Sequence, residues 1–176
     1  MRYILLFSIL LSGCGGYLRS YDSKENQKAV LVYQRALDFK SQGKYEDATI
    51  EFKRFLDYYS DIYFVDECYF HLADCLRMLH QFPEARKHYK QLTKKKKDSP
   101  FVPEARFRIG ECWEAEAIYP KAIGAYKVVI EKHYQSEWAK RSIERCNQIF
   151  AKFPEAKWAK KEKKDVERLI KKLRKT

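Results

Sequence analysis

Glycine and proline are scarce in this 176-residue chain, with six and five copies. So few turn-formers argue against a many-stranded β fold and for long helices. Catalytic punctuation is missing too. There is no GxSxG, no glycine-rich phosphate loop and no carboxylate pair at a recognisable spacing. The five cysteines contain no CxxC, and His71, His80, His88 and His133 form no HxxxH or HExxH. Zinc binding and thioredoxin-type chemistry are therefore not indicated. No catalysis, cofactor, metal or small-molecule substrate is expected. No apolar run approaches the roughly 20 residues that a membrane-spanning helix needs.

What is present is apolar and basic. Hydrophobic residues make up 45% of the chain, with 13 Tyr and 11 Phe. That is enough to build a core and excludes wholesale disorder. The net charge is +12. It is concentrated at the C-terminus, where Lys152 to Thr176 carries eleven Lys/Arg against four Asp/Glu. Such a balance suits nucleic acid, anionic lipid or solubility alone.

The first residues read as a leader. Arg2 precedes an apolar stretch from Tyr3 to Leu11, broken only by Ser8. Its length fits the core of a secretory signal. Leu11-Ser12-Gly13-Cys14 resembles the lipobox of bacterial lipoproteins. That resemblance implies lipidation at Cys14 with acyl chains such as palmitate, cleavage after residue 13, and a tether over 14–27. Gly15, where an Asp would favour inner-membrane retention, implies the periplasmic side of the outer membrane. The alternative is a buried N-terminal helix with a chance cysteine.

The mature part repeats itself. Ala48, Ala85 and Ala122 lie 37 residues apart, as do Tyr45, Phe82 and Tyr119, and Phe52, Tyr89 and Tyr126. The small residues Ala36, Ala73 and Gly110 keep the same spacing. Small, aromatic, Ala, aromatic is the order of the tetratricopeptide repeat, a helix–turn–helix unit of about 34 residues. The extra length falls near Asp61-Ile62, Asp98-Ser99-Pro100 and Gln135-Ser136, each with a cap-like residue before a new helix. The spacing predicts an all-α tetratricopeptide-type hairpin solenoid over 28–152. Helix pairs are expected near 25–41/45–59, 63–79/83–95 and 100–116/120–133, with a further helix at 137–151. A basic capping helix is expected over 153–176, with Trp158, Val166, Leu169, Ile170 and Leu173 near one face.

In tetratricopeptide domains the first helix of each hairpin lines a concave groove. Carried over, the groove positions are Tyr33, Leu37 and Lys40, then Phe70, Asp74 and Arg77, then Phe107, Glu111 and Glu114. Tyr33, Phe70 and Phe107 form a ladder that either faces a bound peptide or packs against the neighbouring helix. Glu104, Glu111 and Glu114 make an acidic patch on a basic protein. Lys94 to Lys97 reads as a solvated turn. Cys68, Cys75 and Cys112 read as small buried residues, and Cys112 with Cys146 is the one pair close enough to consider for a disulfide.

Lipobox, tether and Gly-x-Tyr-Glu-x-Ala-x-x-x-Phe hairpins together resemble the outer-membrane assembly lipoproteins of the BamD (YfiO) family. That resemblance implies a periplasmic, lipid-anchored scaffold acting with a BamA-like barrel protein in β-barrel assembly. The repeats also resemble the C-terminal domain of CpoB. Other readings are a pilotin-like or peptidoglycan-enzyme adaptor lipoprotein, and a cytosolic nucleic-acid-binding repeat using the basic tail. The last requires an uncleaved leader, and on the lipoprotein reading no nucleic acid is expected.

Overall fold

A computed structural model describes residues 24–59 and 64–175. Eight helices follow one another among them: α1 (Lys24–Ser41), α2 (Tyr45–Tyr58), α3 (Val65–Met78), α4 (Phe82–Lys95), α5 (Val102–Ala115), α6 (Tyr119–Lys132), α7 (Glu137–Lys152) and α8 (Lys157–Leu173). The described residues hold no strand, and no helix is long and apolar enough to cross a membrane. Consecutive helices pack in pairs and each pair packs on the next, as the 37-residue spacing predicts. Asp61-Ile62 lies outside the described residues.

The turn inside each hairpin repeats at backbone level. Gly43, His80 and Ala117 lie 37 residues apart and all have positive φ, +73°, +58° and +58°. In this left-handed conformation the residue after the turn donates its N–H back into the helix. Lys44 reaches the carbonyl of Phe39, Gln81 that of Leu76 and Ile118 that of Trp113, at 2.8–2.9 Å. These bonds satisfy carbonyls that the helix end leaves unpaired. The same position in the fourth hairpin is Pro154. Its ring holds φ near −65°, so this turn cannot form. The Phe153 N–H bonds instead to the carbonyls of Ile149 and Phe150, at 3.2 and 3.3 Å. The last helix therefore opens at Lys157 rather than at 153.

Helix starts differ in how they are capped. Ser136 behaves as expected, its Oγ accepting the N–H of Ala139 at 3.2 Å. Ser99 instead accepts the N–H of Phe101 at 3.4 Å, which stabilises a turn before the helix. The third hairpin consequently begins at Val102, with Pro103 in the first turn where a missing N–H costs little.

Small residues set the distance between paired helices. A methyl built on Gly110 of α5 would fall 2.3 Å from the ring of Tyr126 on α6. The equivalent Ala36, Ala73, Phe52 and Tyr89 are fully buried. Between hairpins, buried positions recur on the leading face of each odd-numbered helix. Val65, Cys68, Leu72 and Cys75 on α3 match Val102, Ala105, Ile109 and Cys112 on α5, and Ala139, Ser142, Cys146 and Ile149 on α7. Cys68 Sγ lies 3.3 Å from the Phe52 carbonyl, so this face meets the preceding hairpin. On α1 the same four positions are Lys28, Leu31, Arg35 and Asp38, all exposed. Three of the four are charged, so this end of the stack is solvated by its own sequence.

Arg86 ties the second hairpin to the third. Its guanidinium lies over the Trp113 ring, 3.5 Å from the centroid, and pairs with Glu116. Contact with the ring offsets part of the cost of burying the charge.

Two substitutions at small residues are expected to act in opposite directions. Ala117→Gly relieves a left-handed conformation and should stabilise the fold by about 1 kcal/mol. Gly110→Ala improves helix propensity but drives a methyl into a closed ring site, and should cost about 1–3 kcal/mol. Urea unfolding of both variants checks the signs. A more stable Gly110→Ala would contradict the close approach of α5 and α6.

Candidate protein-interaction face

The aromatic ladder lies between hairpins. Tyr33, Phe70 and Phe107 are only 5%, 5% and 4% exposed. Tyr33 stacks on Phe64, with ring centroids 4.9 Å apart. Phe70 meets Phe101 at 5.0 Å and Phe107 meets Trp138 at 5.3 Å. Phe64, Phe101 and Trp138 are themselves 37 residues apart, at the start of the next odd-numbered helix. The three rings are thus used up in joining hairpins, and Leu37 packs partly buried against the same core. Of the two readings open for the ladder, the structure places it against the neighbouring helix.

The charged members remain partly exposed, on α1, α3 and α5, with Arg145 of α7 beside them. Lys40 Nζ reaches Asp74 Oδ2 at 3.3 Å and His71 Nδ1 at 2.9 Å. Asp74 also accepts the Tyr89 hydroxyl at 2.5 Å and lies 3.7 Å from Arg77 Nε. Arg108 donates to Glu104 and Glu111, each at 2.8 Å. Glu114 accepts the Tyr126 hydroxyl at 2.8 Å and Arg145 at 2.7 Å. The structure joins Lys40, Asp74 and Arg77 in one cluster. Glu111 and Glu114 are held in separate pairs.

Sequence reasoning missed His71, Arg108 and Arg145. With Gln34 they form a further set at 37-residue spacing. That spacing was the available signal, and it was hidden because the residue type changes from Gln to His to Arg along the set.

Burial shifts several of the groups in and beneath this face. Burial, then the neighbouring Lys40 charge, lowers His71 from 6.5 to about 4, with Asp74 opposing. Burial raises the phenols of Tyr33, Tyr89 and Tyr126, and the carboxylates of Glu67, Asp74 and Glu114 add to the effect. These hydroxyls stay protonated and donate. Burial also raises the Cys68 thiol, Cys75 to about 11, and Cys112 and Cys146 to about 12. All four are free, so Cys112 and Cys146 are not paired. Buried thiols this far from ionisation are poor nucleophiles. The arrangement offers fixed charges and donors to a chain laid across it, which is chemistry of recognition. Cys14, the lipobox and the tether up to residue 23 fall outside the described residues; the last four residues of the expected tether, 24–27, are instead the first turn of α1.

The tetratricopeptide repeat family matches residues 33–92 and 79–136. No curated protein matches the chain significantly. Among solved structures, the type III secretion chaperone SycD of Yersinia enterocolitica, in complex with a peptide of the translocator YopD, is similar at 19% identity. That match covers 72% of this chain and 95% of SycD, with a TM-score of 0.60. PcrH, in complex with the chaperone binding region of PopB, is similar at 17% identity, covering 66% of this chain and 92% of PcrH, with a TM-score of 0.54. At these identities the likeness is one of fold.

The depressed His71 makes stability depend on pH. Unfolded, the imidazole takes up a proton near 6.5; folded, only near 4. Between these values the unfolded state binds more protons, so stability falls as pH drops from about 6.5 to 4. His88, lowered to about 4 by burial and by Lys87 and Lys53, acts in the same sense. His71→Gln keeps an acceptor for Lys40 and should shallow this decline, read by urea unfolding at several pH values. An unchanged slope would show that His71 is protonated in the fold.

Proposed function

The chain belongs to the tetratricopeptide repeat family, and from that premise we propose that it is a non-catalytic protein-binding scaffold. A partner segment lies across α1, α3, α5 and α7, and a lipid on Cys14 tethers the scaffold to the periplasmic side of the outer membrane. The observation that carries the binding reading is the set of partly exposed side chains of both signs presented by α1, α3, α5 and α7: Lys40, Asp74, Arg77, Glu111, Glu114 and Arg145. Their side chains are 14–38% exposed, positioned by their neighbours yet open to a ligand. SycD and PcrH were solved holding segments of YopD and PopB. The lipid anchor rests on the Leu11-Ser12-Gly13-Cys14 resemblance. The proposed setting is outer-membrane β-barrel assembly beside a BamA-like protein, as the BamD resemblance implies.

Affinity purification of the full chain from solubilised envelope tests this. Recovery of a BamA-like barrel supports the assembly role. Recovery of secretins or cell-wall hydrolases moves the scaffold to pilotin-like or wall-enzyme work. Arg77→Ala with Glu111→Ala should cut partner recovery about tenfold without loss of helicity, as expected for residues at an interface centre. Cys14→Ser should move the protein from the membrane pellet to the soluble fraction. Undiminished recovery by the double variant would remove the charged face from the interaction, and a Cys14→Ser chain that stays in the pellet would remove the anchor.

A further inference from the structure

Three hairpins close around a ring, and the fourth does not. Phe52, Tyr89 and Tyr126 are fully buried. At the same 37-residue spacing α8 carries Lys163, and α7 carries Asn147 where earlier hairpins have Ala36, Ala73 and Gly110. Both Lys163 and Asn147 are exposed. Yet α8 keeps the register on either side. Ala159 follows Ala48, Ala85 and Ala122, and Val166 follows Phe55, Leu92 and Val129; each is 2% exposed. The helix is therefore anchored one turn before and one turn after the position where a ring belongs.

A cleft of about 490 Å³ lies at that position between α7 and α8. Asn147, Phe150, Ala151, Ala159, Lys160 and Lys163 are among the residues that line it. Two features keep it open. Pro154 bars the turn that draws the other hairpins together. On its other side α8 leans on α6, where Lys127 Nζ holds Glu162 at 3.1 Å.

We propose that this cleft is a docking site for an aromatic side chain of a partner polypeptide, carried in an acidic stretch of sequence. The shape follows from the fold's own solution, since three equivalent spaces are each filled by a six-membered ring. The walls are suited to one: Phe150 supplies a ring, Ala151 and Ala159 supply methyls, and Asn147 supplies an amide. A buried aromatic brings the largest apolar area of any side chain and anchors binding where a pocket awaits it. Charge sets the flanks. Lys157, Lys160, Lys161, Lys163 and Lys164 crowd this end of α8. Glu155 engages one of them, Lys160, at 2.8 Å. Carboxylates beside the anchoring ring would meet the rest. The site is on a different hairpin from Lys40, Asp74 and Glu111, and so adds a second point of attachment to the scaffold.

The test uses the full-length ¹⁵N-labelled chain and two probes, acetyl-Asp-Phe-Asp-Glu-amide and the same peptide with Ala for Phe. The aromatic peptide should shift the amide resonances of Asn147, Ala151, Ala159 and Lys163, and the alanine peptide should bind at least fivefold more weakly. Asn147→Ala with Lys163→Tyr rebuilds the ring and small-residue pair inside the protein. That variant should melt several degrees higher and lose at least tenfold in peptide affinity. Lys163→Glu leaves the cleft open and reverses one charge, and should weaken the peptide at least threefold. Equal binding of both peptides, shifts confined to other helices, or full binding by the rebuilt variant would overturn the proposal. So would the same shifts on raising protein concentration without peptide, which would assign the cleft to a second copy of the chain.

Discussion

Two antiparallel helices cannot cover the side of each that faces along the stack, and everything else in this protein answers that constraint. The answer has two layers. Within a hairpin, a ring from the second helix enters the space left by a missing or minimal side chain on the first, as Tyr126 does over Gly110. Between hairpins, a ring from one odd-numbered helix meets a ring at the start of the next, as in Tyr33–Phe64, Phe70–Phe101 and Phe107–Trp138. Burial of aromatic surface stabilises both layers, and neither hairpin of a neighbouring pair retains its contacts without the other.

The ends of the stack are handled differently. At α1 the leading face carries Lys28, Arg35 and Asp38 where inner odd-numbered helices carry Val, Leu, Ile, Ala or Cys, so water covers it. At α8 the buried face is kept narrow by Ala159 and Val166, and the outer face is given to lysine. Charge at an end prevents further stacking, because burying an unpaired ammonium or carboxylate costs more than the apolar contact returns. The charged face across α1, α3, α5 and α7 is possible because the rings beneath it have already joined the hairpins.

Much of the fold was legible because the repeat enforces it. The spacing of Ala48, Ala85 and Ala122 named the hairpins, and Tyr45, Phe82 and Tyr119 marked where each second helix starts. The charged positions were found by the same register. What was not legible is instructive. Tyr33, Phe70 and Phe107 recur whether they face a ligand or a neighbour, and periodicity alone cannot tell these apart. Their partners Phe64, Phe101 and Trp138 would have decided it, but they lie next to the inter-repeat turns where the pattern looked irregular. The last helix was read as a separate cap. Lys163 breaks the pattern at its most conspicuous position, although Ala159 and Val166 preserve it.

The sequence by itself determined the class of fold, the length of the unit, and where each helix turns back. Those follow from local rules: which residues tolerate a helix, and which side chains recur on one face. Only the tertiary structure decided which recurrent residues are consumed in joining hairpins and which stay available. It also decided that Lys40 finds Asp74, that His71 sits neutral beside a lysine, and that the last pair stays ajar. Those outcomes depend on distances between residues on different helices, set by how closely backbones can approach once every ring has been placed.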